Sequence, residues 1–294
     1  MIAIRTEKLT KYYRRGHTLG VKNLNLEIKE GEVFGYIGPN GAGKTTTIRL
    51  LLDLIRPTRG HAEIFGLNAH NHSTEIKTMI GFLPGEIFLP EQMSGEEAIK
   101  YYSGFKDHVD QKFVKELIKR FDFDLSKKIS NYSKGNRQKL AIILAVMHKP
   151  KLLILDEPTS GLDPLNQNTF YQIIKEIAKD GVTVFVSTHI LAEAQNLCDR
   201  VAIIKNGEVI KIENIDDFRQ KNIREMHLFS DSKIDPKNLK TPGIEKIEQT
   251  DYGFHLVTTG ENGKIIKHIS KFDIKDIKIY EPSLEEIFMH YYKK

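Results

Sequence analysis

The chain has 294 residues, 40% hydrophobic and 28% charged, an ordinary globular composition that excludes whole-chain disorder and collagen-like repeats. No uninterrupted apolar run approaches the ~18 residues of a membrane span, and the formal charge of +5 comes from 44 basic and 39 acidic residues that are interleaved rather than blocked. That balance reads as a mixed, solvated surface and argues against a nucleic-acid partner. Residues 1–13 mix charged and apolar positions and lack the apolar centre of a secretory signal, so the expected location is the cytoplasm. The single cysteine, Cys198, cannot form an internal disulfide.

The predicted elements alternate strand and helix. Ala3 to Leu9, Val21 to Ile28 and Val33 to Ile37 read as strands, and Lys44 to Asp53 as a helix. Strands at Ala62 to Phe65 and Ile80 to Leu83 precede helical periodicity in Glu96 to Tyr102 and Gln111 to Phe121. Leu152 to Leu155 and Val182 to Ser187 are apolar runs suited to a sheet covered on both faces, with cover from helices at Asn136 to Met147, Leu165 to Lys179 and Leu191 to Leu197. This pattern predicts an α/β fold around a mostly parallel sheet, closed by a hairpin of Val201 to Ile204 and Val209 to Ile212 through Asn206-Gly207.

Beyond Phe218 the texture changes to a small α+β appendage. Its expected strands are Met226 to Phe229, Ile244 to Gln249, Phe254 to Thr259 and Ile274 to Tyr280, with a helix over Asn262 to Ser270. A capping box at Ser283 and Glu286 opens a last helix. The expected division is therefore 1–215 and 216–294, and the chain shows no internal repeat.

Gly38-Pro39-Asn40-Gly41-Ala42-Gly43-Lys44-Thr45 has the spacing of a phosphate-binding loop and lies between a strand and a helix, the context that loop requires. Glycines let backbone N–H groups turn toward phosphate oxygens, Lys44 bridges the β- and γ-phosphates, and Thr45 offers a hydroxyl to Mg²⁺. Thr46 completes this nucleotide-binding set. Leu152 to Glu157 is a buried strand ending in two carboxylates. Asp156 is expected to hold the Mg²⁺ shell, and Glu157, on the other side of the pleat, to act as general base on an attacking water.

Tyr132-Ser133-Lys134-Gly135-Asn136-Arg137-Gln138 resembles the signature motif of the ATP-binding cassette family, usually Leu-Ser-Gly-Gly-Gln; Ser133 and Gly135 match, while Tyr132, Lys134 and Asn136 depart from it. Further motifs of that family follow in order. Tyr13 looks like the aromatic that stacks on adenine, with Tyr12 as the alternative; Ser160-Gly161-Leu162-Asp163 resembles the loop coupling two sites; His189 resembles the switch histidine that contacts the γ-phosphate. The family's usual Ile-Gly-Tyr-x-Pro-Gln is Ile80-Gly81-Phe82-Leu83-Pro84-Gly85 here, so glycine stands where glutamine would reach Mg²⁺. Neither Gly85 nor Glu86 is carried over as a ligand.

The resemblance implies a P-loop ATPase cassette with an antiparallel β subdomain and a helical subdomain at about 83–132. It implies ATP and Mg²⁺ as cofactors, and a dimer, with itself or with another cassette, in which the signature of one chain faces the phosphate loop of the other. Separate transmembrane permease subunits would hold the chain at the inner face of the membrane. Glu281 to Phe288 resembles the endings of bacterial drug-exporter cassettes, which points to export of a drug-like, peptide or lipid-like substrate. The alternatives are a non-transport ATPase of the same family regulating another complex, and a metabolic P-loop kinase, which would lack the signature motif.

Overall fold

The chain opens with β1 (Ile2–Tyr13) and β2 (Thr18–Lys29). From Leu24 to Lys29 every second residue of β2 is buried and its neighbours are exposed, as expected of a sheet with one covered face. The computed structural model describes residues 1–13, 18–220, 223–232 and 234–281. β3 (Val33–Ile37), buried at every position, leads through the glycine-rich loop into α1 (Lys44–Leu51). β4 (Arg59–Ile64) and β5 (Leu67–Asn68) return to the first sheet, which is antiparallel with order β2-β1-β4-β5.

α2 (Ser73–Met79) and β6 (Ile80–Leu83) precede two helices, α3 (Gly95–Ser103) and α4 (Gln111–Arg120). α3 opens with a capping box of Ser94 and Glu97, and α4 is capped by the carboxylate of Asp110, so each start is fixed by local hydrogen bonds. α5 (Lys134–Val146), β7 (Leu152–Asp156), α6 (Pro164–Lys179), β8 (Thr183–Thr188), α7 (Leu191–Leu197), β9 (Arg200–Lys205) and β10 (Glu208–Asn214) follow. α5 begins two residues before the periodicity indicates, because Ser133 caps it.

The second sheet has the order β10-β9-β3-β8-β7-β6, with β9, β3, β8, β7 and β6 parallel. Its register positions the site. Ile37 pairs with Thr188, Asp156 with Ser187, and Leu83 with Leu155, so the chain leaves β3, β6, β7 and β8 at one common edge. Ligands of open α/β sheets bind in the crevice at the carboxyl ends of such strands. On β3 and β8, Phe34 stacks on Phe185 and Tyr36 packs tilted against it, all fully buried.

Two compact units divide the chain, Met1–Ile212 and Glu213–Lys294. The second contains α8 (Ile215–Gln220), β11 (Arg224–Phe229), β12 (Ile244–Thr250), β13 (Gly253–Thr258), α9 (Asn262–Ile269) and β14 (Asp276–Tyr280). Its antiparallel sheet, ordered β12-β13-β11-β14, buries Met226, Leu228, Phe254 and Leu256 with Ile265 and Ile269 of α9. On β11, burial and the neighbouring His255 lower the pKa of His227 from its ordinary value. The capping box at Ser283 and most of the exporter-like ending fall outside the described residues. Among the described residues no helix is long and apolar enough to cross a membrane.

Candidate nucleotide site

Gly43, the residue before α1, has φ +111°, and a Cβ there would stand 2.5 Å from the carbonyl oxygen of Gly20, so backbone and space both require glycine. No side chain caps α1, and its first N–H groups have no acceptor within the helix. They are available to an anion, favoured there by the helix dipole. Pro39, Asn40, Gly41 and Ala42 form the turn of the loop, held by the Ala42 N–H donating to the Pro39 carbonyl at 3.1 Å. Lys44 is buried and its Nζ donates to the carbonyls of Gly38 at 2.8 Å and Pro39 at 3.2 Å, so its charge sits inside the concavity of the loop.

Thr45 Oγ1 donates to Oδ2 of Asp156 at 2.8 Å, and Ser187 Oγ donates to Oδ1 of the same carboxylate. A hydroxyl and a buried carboxylate in contact are the hard oxygen donors that suit Mg²⁺, so the residues fit the ion. Gly85 lies against this pair: a Cβ built on it would be 3.4 Å from Oδ2 of Asp156, an ordinary contact. Glu86 is exposed.

Glu157 is turned differently from the sequence expectation. β7 ends at Asp156, and Glu157 has left the pleat with φ +49°, a left-handed conformation that costs a non-glycine residue roughly 1–2 kcal/mol. Its N–H donates to the carbonyl of Ser187 at 3.0 Å, and Oε1 lies 3.5 Å from Lys44 Nζ and 3.2 Å from Nδ1 of His189. Strain of this kind concentrates at functional positions. The carboxylate is partly exposed, reachable by water beside the phosphate loop.

Two residues in this crevice have contacts that no motif states, although Ser187 itself stands in the Ser187-Thr188-His189 run that ends β8. Ser187 orients Asp156, and Glu193, in the first turn of α7, is buried and accepts from Oγ1 of Thr188, the residue before His189. Burial raises the pKa of Glu193, partly offset by the Thr188 hydrogen bond. Their signal is only polar character within buried apolar surroundings.

Tyr13 borders the loop: its hydroxyl and Oγ1 of Thr46 are 3.2 Å apart, and its ring packs on Gly20. The backbone N–H of the alternative, Tyr12, donates to Thr58 Oγ1 at 3.0 Å. The signature residues form a separate group. Ser133 caps α5 by accepting from the Asn136 N–H at 3.2 Å, and a Cβ on Gly135 would stand 2.8 Å from the Gly161 carbonyl oxygen. Lys134 Nζ donates to Ser160 Oγ at 3.0 Å, and Asp163 caps α6 by accepting from the Asn166 N–H at 3.0 Å, a bond that comes first among those lowering its pKa. Among the described residues no hydrogen bond or ion pair joins Ser133, Gly135 or Asp163 to the loop at 38–46.

A family model described as "ABC transporter" matches residues 21–160. The bacitracin transport ATP-binding protein BcrA of Bacillus licheniformis is 34% identical over 302 aligned residues, 97% of this chain and 96% of that one. The ABC transporter ATP-binding protein NatA of Bacillus subtilis is 37% identical over 65% of this chain and 80% of its own. Among solved structures, a dimeric ATP-binding cassette in a post-hydrolysis state with ADP and Pi superposes with a TM-score of 0.66 at 28% identity, covering 72% of this chain and 98% of that chain. An ATP-binding subunit of an ABC transporter reaches 0.68 at 29% identity, over 75% and 93%. With a strand, loop and helix built for a nucleotide and a relative matched along nearly its whole length, the chain belongs to the ABC transporter family, as an ATP-binding and ATP-hydrolysing cassette subunit.

Proposed function

We propose that the chain, through its cassette at 1–215, powers export through separate membrane-spanning permease subunits, hydrolysing MgATP at sites shared by two cassettes. In this reading Lys44 exchanges its hold on the Gly38 and Pro39 carbonyls for phosphate oxygens, and the N–H groups of Gly41 to Thr46 receive the remaining charge. Tyr13 stacks on adenine. Thr45 and Asp156 hold the metal, and Mg²⁺, when bound, offsets phosphate charge. Glu157 takes the proton of a water whose oxygen attacks the γ-phosphorus as the bond to the β-phosphate oxygen breaks, and His189 fixes Glu157 and meets the γ-phosphate. Ser133, Gly135 and Asp163 act on the nucleotide of the facing cassette.

One observation carries the coupling to a permease. A groove of about 560 Å³ runs between the central sheet and the helical region, lined by Leu54, Phe82, Phe88, Phe105, Leu144 and His148. Phe88 is 84% exposed and Phe105 68%, an apolar surface of the kind that marks a protein contact. A permease seated there holds the cassette at the inner face of the membrane. The full-length likeness to a protein named for bacitracin transport favours bacitracin as a cargo. In a bacitracin-sensitive host carrying the chain and its membrane subunits, protection should be lost in both Glu157→Gln and Phe88→Asp, while purified Phe88→Asp still hydrolyses ATP. Protection unchanged by both substitutions would reject the reading.

A further inference from the structure

Within the C-terminal unit, the register of three strands gathers a set of ligating side chains on one sheet face. Glu225 and His227 are two residues apart on β11 and so share a face. His227 pairs across the sheet with His255 of β13, and His255 pairs with Glu248 of β12. The opposite face carries the apolar core of the unit. One ligand atom from each of Glu225, His227 and His255 lies within 4.8 Å of those of the other two.

The hydrogen bonds around this trio resemble those that prepare a metal site. Nδ1 of His227 is 2.6 Å from the Tyr252 hydroxyl, and Nδ1 of His255 is 3.4 Å from Oε2 of Glu248. Nε2 is thus the remaining nitrogen of each ring. Nε2 of His255 is buried without a hydrogen-bond partner and faces Oε2 of Glu225 at 3.5 Å. A ligating imidazole characteristically gives its other nitrogen to a carboxylate or similar partner, which fixes the ring and its tautomer; Glu248 and Tyr252 stand in that position.

We infer that this face binds a divalent transition-metal ion of the zinc class through Glu225, His227 and His255, with Glu248 and Tyr252 orienting the two rings. Imidazole nitrogen with one carboxylate suits zinc and its neighbours, whereas Mg²⁺ and Ca²⁺ require oxygen. Tetrahedral zinc with bonds of about 2.1 Å places ligand atoms about 3.4 Å apart. Side-chain rotation on the order of 1 Å closes the trio, leaving a fourth position for water.

The test is calorimetric titration of Zn²⁺ into the untagged full chain without nucleotide, in a Glu157→Gln background that removes a carboxylate of the nucleotide crevice. The expected result is one equivalent bound, lost by a hundredfold or more in His255→Gln and in His227→Gln. Glu248→Gln should weaken it by about 10- to 100-fold, the usual effect of an orienting partner. His61→Gln, beside Glu7 and Glu63 in the N-terminal sheet, should leave it unchanged. Co²⁺ bound to the same Glu157→Gln protein should show the absorption of nitrogen ligation, a readout that does not depend on any ligand variant folding. No zinc binding by this background protein, binding indifferent to both histidine variants, or an all-oxygen Co²⁺ spectrum would each overturn the inference.

Discussion

Nδ1 of His189 lies 3.2 Å from Oε1 of Glu157, beyond the ends of β8 and β7. The contact places the imidazole on the carboxylate proposed as base, not on the loop that grips phosphate. His189→Ala should therefore slow hydrolysis on the order of a hundredfold, within the range of acid–base effects. Nucleotide affinity should stay within a few-fold, as read by titration with a fluorescent ATP analogue.

Gly85 gives a prediction about the metal. A Cβ there meets Oδ2 of Asp156 at 3.4 Å and the backbone is not in the left-handed region, so Gly85→Gln should fold and bring an amide oxygen to the Thr45–Asp156 pair. The Mg²⁺ concentration for half-maximal hydrolysis should fall. Glu86→Ala should leave that concentration unchanged, since Gly85 is the residue against Asp156 and Glu86 is exposed.

At the signature the predicted effect is steric. A Cβ on Gly135 would approach the Gly161 carbonyl oxygen to 2.8 Å, and backbone cannot yield cheaply. Gly135→Ala should lower stability by about 1–3 kcal/mol, the usual cost of overpacking, read as a fall in Tm. Ser133→Arg should still fold, at a cost of about 1 kcal/mol for the lost helix cap, but abolish the ATP-induced shift to dimer in size-exclusion chromatography in a Glu157→Gln background. A dimer formed by the chain alone identifies a self-pairing cassette.

Much of the cassette is legible in the sequence because its chemistry is local. Val33–Ile37 and Leu152–Asp156 are uniformly apolar until the carboxylate, and the loop from Gly38 to Thr45 requires glycine where the backbone turns. α2 is not legible, since its seven residues hold only two apolar positions, Ile76 and Met79, and a single spacing defines no period. β5, two residues long, falls below any pattern. The contact of Gly85 with Asp156 and the meeting of Glu225, His227 and His255 depend on parallel and antiparallel register, set by packing across tens of residues. The direction of Glu157 depends on a left-handed backbone that no residue preference announces.

Glu193 predicts a pH dependence. Burial raises its pKa above the ordinary 4.5, so the folded chain keeps this proton to higher pH than the unfolded chain. The stability it contributes is complete below about pH 4.5 and is lost as pH rises through the raised value. Glu193→Gln cannot lose it, so the Tm of the variant minus that of the wild type should grow from pH 5 to pH 8 in differential scanning fluorimetry.

If Glu157 receives the proton of the attacking water, hydrolysis and ATP binding separate in Glu157→Gln, and single-turnover MgATP hydrolysis measured beside ATP binding in that variant tests it. Hydrolysis should fall on the order of a hundredfold or more with ATP still bound, whereas Lys44→Ala should weaken binding itself, because that ammonium occupies the concavity of the loop. Near-normal hydrolysis by Glu157→Gln would remove this carboxylate from the chemistry.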